Sequence, residues 1–76
     1  MEEMLKVLVQ DLVSDPSQIE ITSSKEGNIT TLSLKVAQED MGKVIGRQGK
    51  IAKAIRVLMK AYGAKIGEKI NVDILD

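Results

Sequence analysis

The sequence predicts a small α+β fold with the element order αββααβ, in which a three-stranded sheet packs against the helices. Three observations support this prediction. Apolar residues recur at helical spacing near the start and in the second half of the chain, and they alternate with polar residues in three short segments. The length of 76 residues suffices for one modest hydrophobic core and not for two. We therefore expect a single domain over residues 1–76.

The first helix is predicted by apolar residues three and four positions apart, which form one buried face: Leu5, Leu8, Val9, Leu12 and Val13. Glu2 and Glu3 favour its first turn through the helix dipole. Pro16 ends it, because proline forces the preceding residue out of helical geometry.

Two strands joined by a hairpin are predicted next. Ile19 and Ile21 alternate with polar residues in the first strand. The turn is assigned to residues 25–28, with the sequence Lys-Glu-Gly-Asn. The second strand is predicted by a further alternation of Leu32, Leu34 and Val36 with Ser33 and Lys35.

Two helices and a last strand account for the second half. Residues 38–45 allow a second helix of about two turns, and Glu39 and Asp40 favour its start. The third helix places its apolar residues on one arc, opposite Lys53, Arg56 and Lys60, and this arc is expected to hold Ile51, Ala52, Ile55, Leu58, Met59 and Tyr62. Gly63 is predicted to be its left-handed C-cap. The last strand is predicted by the alternating residues Ile70, Val72 and Ile74.

The composition excludes most enzyme chemistry. The chain has no Cys and no His, which removes disulfides, zinc ligation by thiolates and imidazoles, and imidazole-based catalysis. We expect no enzyme activity, no catalytic residue, no cofactor and no metal site, because Glu39 and Asp40 at a helix start fit dipole partners better than ligands. No stretch approaches the roughly 20 apolar residues of a membrane span, and the first residues lack a signal-peptide pattern. A cytoplasmic protein without a membrane partner is expected.

Charge is unevenly distributed along the chain. The net charge is zero, from 11 basic and 11 acidic side chains. The segment 42–67 nevertheless contains no acidic residue and seven basic ones, which are Lys43, Arg47, Lys50, Lys53, Arg56, Lys60 and Lys65. Because nearby charges dominate a local potential, this half is expected to attract anions.

The segment Val44-Ile45-Gly46-Arg47-Gln48-Gly49-Lys50 carries the most specific signal. Two glycines three positions apart allow a close approach of the backbone to a ligand, since they lack Cβ atoms. The loop also opens the N-terminus of the third helix, where free N–H groups favour a phosphate, and Arg47 and Lys50 add charge. A phosphodiester clamp is therefore predicted here.

Two other phosphate-binding loops do not fit these residues. A Walker A loop requires glycine where Val44 stands and Ser or Thr where Ile51 stands. A dinucleotide fingerprint requires glycine at position 44 and a preceding parallel strand. Both nucleotide-enzyme interpretations are excluded.

The hydrophobic pair, the Gly-x-x-Gly loop, the following basic helix and the αββααβ order resemble the KH domain in its bacterial, type II arrangement, over the whole chain. The resemblance implies that Gly46, Arg47, Gln48 and Gly49 clamp the nucleic-acid backbone, with Lys50 and Lys53 adding charge. It also implies an aliphatic groove for about four bases, lined by Val44, Ile45, Ile55, Leu34 and Val36. Ala52 departs from the Ile or Val common at its position in KH domains, so this part of the groove is expected to be shallower unless Ile51 compensates.

The resemblance further implies a ligand and partners. The ligand is single-stranded RNA, and the role is that of an RNA chaperone or post-transcriptional regulator. A second KH-domain protein is an expected heteromeric partner. The alternative function is a protein-interaction or assembly module that uses the KH scaffold with little RNA binding.

A stripe of small residues on the third helix predicts a homodimer. Ala54, Val57 and Ala61 recur at i, i+3 and i+7, and we expect them between the apolar and basic arcs. Small residues allow two helices to approach closely, and self-association would extend a modest core. The same residues also suit an ordinary solvated helix, because alanine favours helices.

Overall fold

The computed structural model describes residues 1–75 and confirms the predicted α+β class and order. Short 3-10 turns at Pro16–Gln18, Gln38–Asp40 and Arg47–Gly49 connect some of the elements. The helices and strands are α1 (Glu2–Gln10), β1 (Glu20–Glu26), β2 (Ile29–Lys35), α2 (Met41–Ile45), α3 (Lys50–Ile66) and β3 (Lys69–Ile74).

The sheet is mixed and has the order β1-β2-β3. β1 pairs antiparallel with β2 up to the pair Glu26 and Ile29, so the turn consists of Gly27 and Asn28 alone. The prediction of a turn over residues 25–28 was wrong in its bounds, because Lys25 and Glu26 continue the ladder. β2 pairs parallel with β3, and the α2–α3 segment forms the crossover between them.

The core lies between one face of the sheet and the helices. Alternate residues of β2 and β3 point into it, because successive side chains of a strand face opposite sides. The opposite face of β1 is exposed and polar. The buried apolar residues are Leu5, Val9, Val13, Leu32, Leu34, Val36, Val44, Ala52, Ile55, Met59, Ile70 and Val72.

The first helix is shorter than predicted. It ends at Gln10, and Leu12 N–H donates to Val9 O in the turn that follows. Val13 is still buried, as its spacing predicted, but it lies beyond the helix. The chain turns here because the N–H groups of Ser14 and Asp15 reach the carboxylate of Asp40.

Gly63 is not the C-cap of α3, so this prediction was wrong. The helix continues to Ile66, and Gly67 adopts the left-handed conformation with φ 77°. Glu68 N–H donates to Gly63 O at 2.8 Å and Gly67 N–H to Ala64 O at 3.4 Å, the two bonds of a Schellman motif. Gly63 is needed for a different reason: a Cβ atom there would lie 2.6 Å from Glu68 O.

Candidate nucleic-acid interface

The Gly-x-x-Gly loop has an unusual backbone. Gly46, Gln48 and Gly49 all have positive φ values, of 77°, 58° and 73°. Gln48 is the one non-glycine residue with positive φ within residues 1–75, a conformation that costs an ordinary L-residue about 1–2 kcal/mol. The loop closes through Gly49 N–H, which donates to Gly46 O at 3.2 Å. A strained and defined turn thus joins α2 to α3.

The loop presents its polar side chains to solvent. Arg47, Gln48 and Lys50 are exposed, as is Lys53 one turn further along α3. Gly49 immediately precedes the 17-residue helix α3, so the N-terminus of this helix lies beside Arg47 and Lys50, although the N–H of Lys50 itself donates to Arg47 O. The combination of a helix N-terminus with two exposed cations favours an anionic ligand.

Most of the predicted groove lining belongs to the core. Val44 and Leu34 are fully buried, and Val36 and Ile55 are 5% and 4% exposed. Ile45, at 38%, is the residue of this set that presents apolar surface to solvent. The four buried side chains belong to the hydrophobic core and present almost no surface to a ligand.

The outer edge of β3 lies beside α3. Lys69 N–H donates to Asn28 O and Leu75 N–H to Leu34 O, so the peptide groups of residues 69, 71, 73 and 75 face β2. Those of Ile70, Val72 and Ile74 therefore face outward. Arg56 on α3 reaches this edge, and its Nε donates to Val72 O at 3.1 Å.

Asp40 is a buried carboxylate whose role the sequence did not reveal. Its Oδ1 accepts the N–H of Ser14 at 3.0 Å and its Oδ2 the N–H of Asp15 at 3.1 Å. Lys43 Nζ lies 3.2 Å from Oδ1. The Ser14 N–H lowers the pKa of Asp40 most; burial opposes this, and Asp15 and Lys43 reinforce it. Asp40 thus connects Ser14 and Asp15, which follow α1, to the start of α2. It also forms an ion pair with Lys43, one of the seven basic residues of the segment 42–67.

The stripe on α3 faces directly away from the core. Ala54, Val57 and Ala61 are exposed, and Val57 is 66% exposed. Leu58 was wrongly placed in the core, since it is 53% exposed. Successive residues of an α-helix are about 100° apart around its axis. The arc of buried side chains on α3 is narrower than predicted, and Leu58 lies outside it, next to the stripe.

Within residues 1–75 no helix is long and apolar enough to cross a membrane. In the same part of the chain, no group of three or more acidic residues is placed to hold a metal ion.

The order of elements, the mixed sheet and the Gly-x-x-Gly loop between α2 and α3 define a KH domain of type II. A sequence profile described as "KhpA/KhpB, KH domain" matches residues 2–74. The chain therefore belongs to the KhpA/KhpB family of KH domains, and the resemblance stated from the sequence is confirmed.

Relatives of similar length support this assignment. The chain is 45% identical over 76 residues to the RNA-binding protein KhpA of Listeria monocytogenes serovar 1/2a, and the alignment covers all of both chains. It is 41% identical over 75 residues to the RNA-binding protein KhpA of Clostridium acetobutylicum, with 99% of this chain and 100% of that protein covered.

A solved structure shows the same fold in another context. Aquifex aeolicus Era, in a crystal structure bound to GDP and AlF4−, superposes with a TM-score of 0.62 at 13% sequence identity. The match covers 95% of this chain and 28% of the Era chain, so this chain corresponds to less than a third of that protein.

Proposed function

We propose that this chain is a non-enzymatic protein that binds single-stranded RNA. The observation that carries the proposal is the exposed loop from Gly46 to Gly49, which opens the N-terminus of α3 between Arg47 and Lys50. KH domains use this loop to clamp the backbone of about four nucleotides. The relatives' name, RNA-binding protein KhpA, agrees with this function.

The bases lie between α3 and the outer edge of β3 in this proposal. Ile45 and the exposed side of α3 form one wall, and the outward peptide groups of β3 form the other. The buried residues Val44, Ile55, Leu34 and Val36 hold these walls in place without touching RNA. Lys53 contributes charge near the loop.

The chain also associates with KH domains in this proposal, and its role is that of an RNA chaperone or post-transcriptional regulator in the cytoplasm. The exposed stripe of Ala54, Val57 and Ala61, widened by Leu58, is an apolar helix face that a second copy can cover. The family description joins KhpA with KhpB, and a KhpB-like protein is the proposed heteromeric partner.

The second candidate function is a protein-interaction module with little RNA binding. The observation that favours it is the same exposed face, with Val57 and Leu58 more than half exposed. In that case changes on α3 abolish association with a KH partner while the wild type shows no RNA affinity at any salt concentration.

The double substitution Arg47→Asp and Gln48→Asp tests the RNA-binding proposal. Both positions are exposed, and aspartate tolerates the positive φ of position 48 better than most residues, so the fold should persist. Two negative charges would stand where a phosphate must approach, and binding to a labelled oligo-RNA should be lost. A double variant with wild-type circular dichroism and wild-type affinity would refute the clamp.

A further inference from the structure

We infer that Arg56 is a base-reading residue that favours guanine at one position of the bound RNA. The inference rests on the proposed RNA binding and names a specificity determinant within it. Arg56 belongs neither to the loop nor to the core, and it stands between the two walls of the proposed base groove.

The guanidinium of Arg56 is held in a defined orientation. Its Nε donates to Val72 O at 3.1 Å in a partly buried hydrogen bond, which fixes the plane of the group at the edge of β3. The residue as a whole remains exposed, and within residues 1–75 it has no ion-pair partner. The two terminal Nη groups are therefore available to a ligand.

Two parallel N–H donors select a ligand with two adjacent acceptors. Guanine offers O6 and N7 in this arrangement, and the bidentate contact of Arg with these atoms discriminates against adenine and uracil by about 1–3 kcal/mol. Cytosine, with O2 and N3 on its unpaired Watson–Crick edge, is the competing base that the test must separate from guanine. Lysine cannot replace arginine here, because an ammonium is a point charge without the planar fork.

A phosphate has adjacent acceptors as well, but the location of Arg56 favours a base. The phosphate-binding elements are grouped at the loop, and Arg56 lies six residues beyond Lys50, about 9 Å along the helix axis. It contacts the outward peptide group of Val72, and those of Ile70 and Ile74 lie on the same edge of β3, where they carry donors and acceptors suited to base edges.

The chain has few side chains of the kinds that usually contact RNA bases, which makes Arg56 the more important. Proteins that read single-stranded RNA contact splayed bases with aromatic rings or arginine planes. Tyr62 is the single aromatic residue, and it is half-buried against the core. Of the two arginines, Arg47 lies in the clamp loop, so Arg56 is the one placed on the base side.

The test compares a short oligouridine with the same oligomer carrying one central guanosine or one central cytidine, and equal binding of the guanosine and cytidine oligomers by the wild type would overturn the assignment of guanine. We expect the wild type to bind the guanosine oligomer about tenfold more tightly, Arg56→Lys to lose this preference, and Lys60→Ala, a matched change one turn further along α3, to keep it. Equal weakening of both oligomers by Arg56→Lys would show a phosphate contact and overturn the inference, as would a wild type without preference.

Substitutions in the RNA give a second readout on the unmodified protein. Inosine retains O6 and N7 and should preserve the preference, whereas 7-deazaguanosine lacks N7 and should lose most of it. Retention of full affinity with 7-deazaguanosine would overturn the inference even if the Arg56 variant failed to fold. A wild type that binds neither oligomer would instead refute the proposed RNA binding itself, so the two failures are distinguishable.

Discussion

Gly46 packs directly against Ile51: a Cβ atom on Gly46 would lie 2.6 Å from Cγ1 of Ile51 and 2.9 Å from its backbone nitrogen. Gly46 also has φ 77°, so two independent constraints demand glycine there. The second glycine of the loop differs, since a Cβ atom on Gly49 would meet nothing within 4 Å. The two glycines of the motif therefore serve different purposes.

Replacing Gly46 with Ala should destabilise the protein by about 2–4 kcal/mol, from overpacking together with the positive φ. Gly49→Ala is the matched control and should cost only about 1 kcal/mol, from the positive φ of 73°. Urea denaturation gives both free energies of unfolding. Equal losses would contradict the close packing of Gly46 on Ile51.

Two helical glycines should respond with opposite signs to the same substitution. Gly63→Ala should destabilise by about 1–2 kcal/mol, because its Cβ would lie 2.6 Å from Glu68 O and 2.9 Å from Ile70 Cγ1. Gly42→Ala should stabilise by about 0.5–1 kcal/mol, since alanine favours a helix and its Cβ has open space. Thermal and urea unfolding give the stability of both variants relative to wild type. Stabilisation by Gly63→Ala would contradict the close approach of α3 to residues 68–70.

Asp40 should make stability depend on pH in the acid range. Its pKa is lowered in the folded protein, chiefly by the N–H of Ser14. Its stabilising contribution is therefore complete above the ordinary carboxyl pKa of about 4 and is lost as the pH falls through the lowered value. Asp40→Asn should be less stable at pH 7 and show a shallower loss between pH 5 and pH 2.5.

The neighbouring Glu39 provides the control for Asp40. It is exposed, and Glu39→Gln should leave both the stability at pH 7 and its pH dependence close to wild type. Urea unfolding at several pH values compares the three proteins. The same acid profile for Asp40→Asn and wild type would show that this carboxylate does not secure the segment at Ser14.

RNA affinity should fall moderately with salt. If Arg47, Lys50 and one neighbour neutralise about three phosphates, log K should fall against log salt with a slope of about −2, from roughly −0.7 per single-strand contact. Lys50→Glu should change this slope more than Lys60→Glu, because Lys60 lies about 15 Å further along α3. Fluorescence anisotropy over a salt series measures this slope. A slope near zero would show that the basic residues of segment 42–67 do not form the RNA-binding surface.

A dimer through the stripe on α3 should be weak and strengthened by salt. Lys53 and Lys60 flank Val57, so two copies bring like charges together, and screening relieves the repulsion. Ala61→Tyr should abolish association by steric overlap without disturbing the core, since Ala61 is exposed. Sedimentation equilibrium measures the mass of both proteins in solution. A wild type that stays monomeric at high concentration and high salt would refute the proposed dimer.

The order of elements was predictable because hydrophobic periodicity is a local signal. The alternation around Leu32 and Val72 and the helical spacing around Ile55 and Met59 each follow from burial on one face. The loop was predictable for a similar reason, since Gly46 and Gly49 mark a backbone that other residues rarely adopt.

Features that depend on tertiary partners were not predictable. Asp40 receives its hydrogen bonds from residues 25 and 26 positions away, and Arg56 meets Val72 only because β3 is an edge strand. Gly63 resembled a helix end because glycine is common there, but its cause is the close passage of the chain at Glu68. Leu58 was placed in the core because the apolar arc was drawn too wide, and it lies at the exposed margin of that arc.

The parallel pairing of β2 with β3 also has a kinetic consequence. Ile29 and Lys69 are partners in the ladder although 40 positions separate them, whereas Glu26 and Ile29 meet across two residues. Loop-closure entropy delays such distant pairings, so the hairpin is expected to assemble early and β3 to join late. The edge that β3 provides, one wall of the proposed base groove, is then expected to be the last part to form, so a partly folded chain would have the Gly-x-x-Gly loop without the surface proposed to contact bases.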